Sequence, residues 1–492
     1  MPHSIIQLDD ELAINVIGDL EGEWEFLARS VETIADLSEG WVDTKREIIV
    51  FMGDITDKSC ADQRVLNTVV STLKMNPLAF ALIGNRDLTF LKLYRLNKKN
   101  IIEDMRFELS YPEEERCKVG EKREENLEWV AIFGEAFSQH FKSLTHCQDE
   151  EIISHMQTMP EESLCILKLK WILPNAMGAP DAFENCREEL KNNQKPHDDA
   201  AVKGVFMENI YHQGNKVEYL RHANLALILN QTIFVHAAIN KKSIFVPDDL
   251  GACDTLQDFV MRINALKNKL VQGLERCNAE GKNPTEDVAC APLIKVFSRM
   301  ANAYVRHHGY SVVSDFPRDI DSKDFIRRCP TDKDLLKIFR DSGIHSLVVG
   351  HQPTGVDYQL VLRATLDEHF TFNIISCDTY YSHKNNSYVK TRLQYRGERC
   401  HVSLWAKRQS GKELLRQFVL TPMGAFYEAS REEDRVGEML DSAPGWSIQG
   451  YDAVNQEYLL HFCETCRPFT CHTCVVPKDS LSSFDPKLRR AR

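Results

Sequence analysis

The apolar and polar positions of this chain are organised around one run, Glu47-Ile-Ile-Val-Phe-Met-Gly-Asp54. The apolar residues Ile48 to Met52 are followed at once by a glycine and an acid. So short a run, rich in β-branched residues, predicts a strand buried on both faces. Gly53 allows a sharp exit, and Asp54 then sits just past the strand's carboxyl end. Ligands collect at that edge in open α/β sheets.

The pattern on either side alternates. Residues 12–17 predict a strand ending at Gly18-Asp19. Residues 23–37 predict an amphipathic helix with Trp24, Leu27, Ala28, Val31, Ile34 and Ala35 on one stripe. Residues 61–75 predict a second helix, and 78–83 a third strand ending at Gly84-Asn85. Alternating strands and helices imply a parallel sheet with right-handed crossovers, so all three strand ends share one edge.

A charged segment from about 97 to 215 predicts a helical insertion, with one stripe over 164–173 and charge runs as solvated faces. The sheet resumes in a predicted hairpin, residues 225–229 and 232–236 around Asn230-Gln231. A second helical insertion covers about 241–340 and closes with a helix over 335–341. A strand at 346–349 ends in Gly350-His351. Strands at 358–362, 370–376, 388–395, 401–406 and 417–420 predict an antiparallel run that forms a second sheet on the first. Residues 1–422 thus read as one interrupted domain. Residues 423–492 stand apart, with a short hairpin near Gly445-Trp446.

At 492 residues the chain exceeds one ordinary core. The net charge of −12 argues against a general nucleic-acid binder. The first residues show no basic stretch followed by an apolar one, and no apolar run approaches the roughly 20 residues of a membrane span. The fifteen cysteines then read as mostly reduced, buried thiols, and the expected location is cytoplasmic. Oligomeric state cannot be read from the sequence.

The polar residues at predicted strand ends are Asp19, Glu21, Asp54, Asn85, His236 and His351. Taken singly, Asp19 or Asn85 reads as a helix N-cap and His236 as a core histidine. Taken together, carboxylates, a carboxamide and imidazoles suit Mn, Fe, Zn or Mg. One ion would have Asp19, Glu21 and Asp54. The other would have Asp54, Asn85, His236 and His351. Asp54 would bridge two divalent ions ~3.5–4 Å apart, as in two-metal phosphoester hydrolysis.

Gly18-Asp-Leu-Glu-Gly22, Gly53-Asp-Ile-Thr-Asp57, Gly84-Asn-Arg-Asp87, Val235-His-Ala-Ala238 and Gly350-His-Gln352 resemble, in order, the motifs of calcineurin-like metallophosphoesterases. The resemblance is to the phosphoprotein-phosphatase branch and its bacterial relatives, and covers roughly 11–95, 215–240 and 343–380. Ser376-Cys-Asp378 resembles that branch's late strand end. The resemblance implies an α/β fold, a four-layer αββα sandwich with the helical insertions as a cap. It also implies a dinuclear site, Mn first among the metals, and phosphomonoester hydrolysis by a metal-bound hydroxide with no covalent intermediate.

Two departures change the chemistry. Glu21 stands where the family has histidine, and Arg86 where it has a histidine thought to protonate the leaving group. A guanidinium cannot act as an acid, though it can clamp phosphate. A phenolate leaving group, with a pKa of ~10, needs a proton less than an alkoxide does. The expected substrate is therefore a phosphorylated protein, with phosphotyrosine or other aryl phosphates favoured. Arg86, Lys58 and Arg221 are the candidate phosphate contacts, and Asp57 or Asp87 the candidates to hold a proton-donating water.

Two rivals remain: a nucleotide or dinucleoside polyphosphate hydrolase, and a decayed site serving as a binding or scaffold protein. The insertions and cysteine tail are also similar to effector phosphatases delivered into a host cytosol. Cys463, Cys466, Cys471 and Cys474 form two Cys-x2-Cys pairs, read as a structural zinc site, as reduced thiols or as lipidation sites.

Overall fold

A computed structural model describes residues 4–95, 158–240, 253–301, 311–315, 329–378, 388–420, 435–463 and 471–485, with short gaps inside these stretches. The chain opens with β1 (Ile5–Ile6), β2 (Ala13–Ile17), α1 (Trp24–Glu32), β3 (Asp36–Ser38), β4 (Trp41–Asp43), β5 (Glu47–Phe51), α2 (Asp62–Met75), β6 (Ala79–Ala81) and α3 (Asn85–Thr89). β2, β5 and β6 pair in parallel, with Val16 opposite Val50 and Val50 opposite Phe80. Their carboxyl ends therefore share an edge. α1 is shorter than its apolar stripe predicts. Residues 36–43 instead form a hairpin, β3 with β4, around Gly40 at φ 82°, a backbone that cannot continue a right-handed helix.

The described part of the first insertion holds α4 (Glu161–Asn175), α5 (Ala182–Asn192), α6 (Asp199–Ile210) and α7 (Asn215–His222). Residues 96–157 lie outside the described residues. β7 (Ala226–Leu229) and β8 (Thr232–Val235) make the expected hairpin. α8 (Leu256–Ala279), α9 (Cys290–Ala301) and α10 (Lys333–Asp341) precede β9 (Ser346–Val349). Then come β10 (Leu360–Asp367), β11 (Phe370–Ser376), β12 (Tyr388–Arg396), β13 (Arg399–Lys407) and β14 (Glu413–Leu420).

The division of strands between sheets differs from the expectation. One sheet has the order β14-β13-β12-β2-β5-β6, the other β1-β7-β8-β9-β11-β10. The hairpin thus belongs to the second sheet rather than resuming the first. The late strands are split as well. β10 and β11 join the hairpin's sheet, with β11 parallel to β9, while β12 pairs antiparallel with β2. β11 is buried along its whole length, whereas β12 alternates buried Val389, Thr391, Leu393 and Tyr395 with half-buried neighbours.

The facing sides of the two sheets share one apolar cluster. Ile14, Val16, Ile48 and Val50 meet Leu227, Phe234, Val348 and Ile375 there. Ile49 and Phe51 belong to a second cluster with Leu27 and Val31 of α1 and Val65 and Val69 of α2. β5 is therefore buried on both faces, and each such side chain contributes roughly 1.5–3 kcal/mol of burial. No helix among the described residues is long and apolar enough to cross a membrane.

In place of a short hairpin, the tail forms a three-stranded sheet of β15 (Trp446–Asp452), β16 (Glu457–Cys463) and β17 (Cys471–Pro477). It has its own cluster, including Trp446, Ile448, Tyr458, Leu460 and Phe462. The Gln449 side chain ties it to β10, accepting from the Val361 amide at 2.9 Å and donating to the Val361 carbonyl at 2.6 Å. The Arg363 amide donates to the Gly437 carbonyl at 3.1 Å. Cys471 and Cys474 both lie within β17, and Cys463 stands opposite Cys471. A zinc knuckle needs a turn between its two cysteines, and the extended strand removes it from this pair. Cys474 packs against the tail's own cluster. Cys466 lies outside the described residues.

Candidate metal centre

The sheets face each other with the ends of β2, β5, β6, β8 and β9 at one rim. Asp19, Asp54, Asn85, His236 and His351 follow those ends within a few residues. Asp54, His236 and His351 offer ligand atoms that all lie within 4.8 Å of one another. His236 Nε2 is 3.4 Å from Asp54 Oδ1 and 3.4 Å from Asn85 Oδ1. Its Nδ1 is 2.7 Å from the Met52 carbonyl, which makes Nδ1 the N–H donor. Nε2 then faces Asp54 and Asn85, the arrangement of a histidine fixed by a backbone acceptor and able to ligate a metal once Nε2 is deprotonated.

Glycines permit this approach. A Cβ at Gly84 would sit 2.1 Å from Asp54 Oδ1, and one at Gly53 would sit 2.9 Å from His236 Nδ1. Glu21, Asp54, Asp57 and His351 have φ of 47°, 48°, 97° and 68°, four of the seven non-glycine residues with positive φ among those described. Strained backbone of this kind collects at functional sites and persists only where its surroundings enforce it.

Asp87 is one enforcer. Its carboxylate accepts from the amides of Asp54 (2.8 Å), Ile55 (2.9 Å) and Gly84 (2.8 Å). Burial and the Asp54 charge push its pKa up to about 6 against those amides. With both oxygens committed, Asp87 positions the loop rather than holding a donor water. Asp57 is placed differently from the expectation too. Its Oδ1 accepts from Lys216 Nζ at 2.9 Å and Thr56 Oγ1 at 3.0 Å, and its amide donates to both oxygens of Asp62. It is half of a buried ion pair. Lys216 gives no sequence signal of this, since Asn-Lys-Val-Glu-Tyr reads as an ordinary surface turn of helix.

Asp19 lies at the other edge of the His236 ring, its Oδ1 3.8 Å from Nδ1, and its carboxylate accepts the His351 amide at 3.0 and 3.2 Å. Glu21 Oε1 is bonded by Lys58 Nζ and lies 3.4 Å from Arg86 Nε. Arg86 is itself buried, 3.8 Å from Asp54 Oδ2. Arg221 is far from the rim. It pairs with Glu218 at 3.0 Å and Glu275 at 2.6 Å, beside Asn76 and Pro77 at the amino end of β6. Two carboxylates already occupy it, so it is not a phosphate contact.

The rim's charges reinforce one another. Burial disfavours the His236 imidazolium, but the Asp54 and Asp19 carboxylates outweigh it and push its pKa up to about 10. Burial also opposes charge on Asp54, and His236, Arg86 and His351 overcome it, holding the carboxyl below the usual range. Burial and the Asp378 carboxylate push Asp19 well above that range. The oxygen and imidazole donors of Asp54, His236, His351 and Asn85 suit a hard or borderline divalent cation.

No family model matches the chain, and no curated protein matches it. Among solved structures it is similar to a cold-active protein-tyrosine phosphatase of a psychrophile, Shewanella sp. That likeness has 11% identity over 84% of this chain and 82% of the other, at a TM-score of 0.37. It is also similar to a protein serine/threonine phosphatase from Saccharomyces cerevisiae with similarity to human phosphatase PP5. There the identity is 11% over 86% of this chain and 87% of the other, at a TM-score of 0.32.

Proposed function

We propose that this protein is a metal-dependent phosphatase that hydrolyses phosphomonoesters on proteins, with aryl phosphates such as phosphotyrosine favoured. The observation that carries this reading is the convergence of Asp54, His236 and His351 within 4.8 Å, beside the buried Arg86 guanidinium. A divalent cation held there supplies a Lewis acid for a phosphoryl oxygen. Asp54, His236, His351 and Asn85 would hold it. His236 must give up its proton to ligate, so cation binding strengthens as pH rises.

Arg86 supplies a fixed positive charge for the phosphoryl oxygens and no proton. Asp87 accepts from backbone amides, and Asp57 Oδ1 accepts from Lys216. With a guanidinium where an acid would stand, leaving groups that depart as anions are favoured. The loop before α5 contributes the Gly178 carbonyl, 3.5 Å from Arg86 Nη1. It brings the helical insertion to the rim as part of a cap over the site.

The test is hydrolysis of phosphotyrosine and phosphothreonine peptides by the full chain with Mn(II), alongside Asp54→Asn. Mn-dependent turnover that is faster on phosphotyrosine and lost in the variant is expected. Equal or faster turnover of phosphothreonine overturns the aryl preference. No turnover, even of p-nitrophenyl phosphate, overturns the enzyme reading.

A further inference from the structure

The sequence pattern anticipates two ions. We infer that this centre binds a single divalent cation, and that Lys58 and Arg86, paired on Glu21, stand in for the second. This deepens the phosphatase reading and rests on it.

Three placements carry the inference. First, the His236 ring lies between the two aspartates. Nε2 faces Asp54 Oδ1 at 3.4 Å, while Asp19 Oδ1 approaches the Nδ1 edge at 3.8 Å. Nδ1 is already given to the Met52 carbonyl. The Asp19 carboxylate accepts the His351 amide. Second, Glu21, the other carboxylate of the anticipated second site, faces Lys58 and Arg86. Third, the Asp54 oxygen that would bridge to a second ion, Oδ2, faces Arg86 Nε at 3.8 Å.

Charge closes the argument. Lys58 and Arg86 together bring two positive charges, as one divalent ion would. They bring them from loops whose backbone is tied to the site. The Arg86 amide donates to Asp54 Oδ1 at 2.9 Å, and its Nη1 points to the Gly178 carbonyl at 3.5 Å. The Lys58 amide donates to the Glu21 carbonyl at 3.3 Å, and the Lys58 carbonyl accepts from Asn185 Nδ2 at 3.0 Å. A guanidinium stays charged at any pH the fold survives, so its share of this substitution does not titrate away.

The experiment is to dialyse the full chain against Mn(II), count bound metal by elemental analysis and record the electron paramagnetic resonance spectrum. One Mn per chain with the six-line signal of an isolated ion is expected, unchanged in count in Glu21→Gln. Two Mn per chain with an exchange-coupled signal, one of them lost in Glu21→Gln, overturns the inference and leaves the phosphatase reading standing. No bound Mn overturns both. The double variant Lys58→Ala/Arg86→Ala uncovers Glu21 and Asp54 Oδ2 and is expected to take up a second ion. A double variant that still binds one ion overturns the charge substitution.

Discussion

The rim of the sheets and the opposite end each bury a lysine, and the two are handled in opposite ways. At the rim, Lys216 of α7 meets Asp57 at 2.9 Å, with Asp62 nearby. Burial pulls its pKa down, and the carboxylates more than reverse that. At the far end, Lys267 of α8 is fully buried and donates to the carbonyls of Leu220 at 3.0 Å and Arg221 at 3.3 Å. Burial lowers its pKa to about 7, with only a weak opposing pull from Glu275. One lysine is paired to hold a strained loop, the other caps the last turn of α7. The difference teaches that one buried lysine is held by a carboxylate and the other chiefly by carbonyl dipoles.

The largest expected effect is on the rim. Asp54→Asn removes the donor that faces both His236 and Arg86, and a loss in kcat/KM on the order of 10²–10³-fold or more is expected with p-nitrophenyl phosphate. Next, Lys216→Met strands Asp57 as a buried, uncompensated carboxylate. Denaturant unfolding should show a loss of about 3–5 kcal/mol, largely restored by adding Asp57→Asn.

Lys267 sharpens the contrast through pH. Its folded pKa lies below the unfolded value, so between about pH 7 and 10 the unfolded chain binds more protons at this site. Its contribution to stability is therefore least favourable below pH 7 and improves as pH rises through that window, by roughly a few kcal/mol in all. Lys267→Met is expected to flatten the rise in unfolding free energy across it. Lys216 has its pKa raised, so its contribution is complete below the unfolded value and falls away only above about pH 10. The smallest effect belongs to Arg221→Ala. With its side chain 44% exposed, its ion pairs are worth no more than about 1 kcal/mol, and kcat/KM should stay within about twofold.

Much of the frame was legible because it depends on short-range pattern. The unbroken apolar run of β5, the alternation of strand and helix up to β6, and the 226–235 hairpin all follow from periodicity. Parallel pairing then places the residues after Gly18, Gly53 and Gly84 on one edge. What pattern could not show is which distant strand lies next to which. β10 to β14 look alike as a series, yet β10 and β11 join one sheet and β12 to β14 the other. Nor could it show which charges meet. Glu21 faces cations because Lys58 and Arg86 converge on it from separate loops, and nothing local in Leu-Glu-Gly encodes that. Arg221 did carry a usable signal, since Glu218 lies three residues earlier on the same helix, the spacing of an ion pair.

The junction between Gln449 and Val361 has a consequence for solubility. β10 ends its sheet, and its outward amide and carbonyl at Val361 would otherwise be an open template for another extended chain. A glutamine side chain carries the same amide group as a peptide bond, and here it fills the place of the missing neighbour. The Gly437 carbonyl does the same for Arg363 one step along. The tail thereby closes this border of β10, and a second extended chain would have to displace it to pair there.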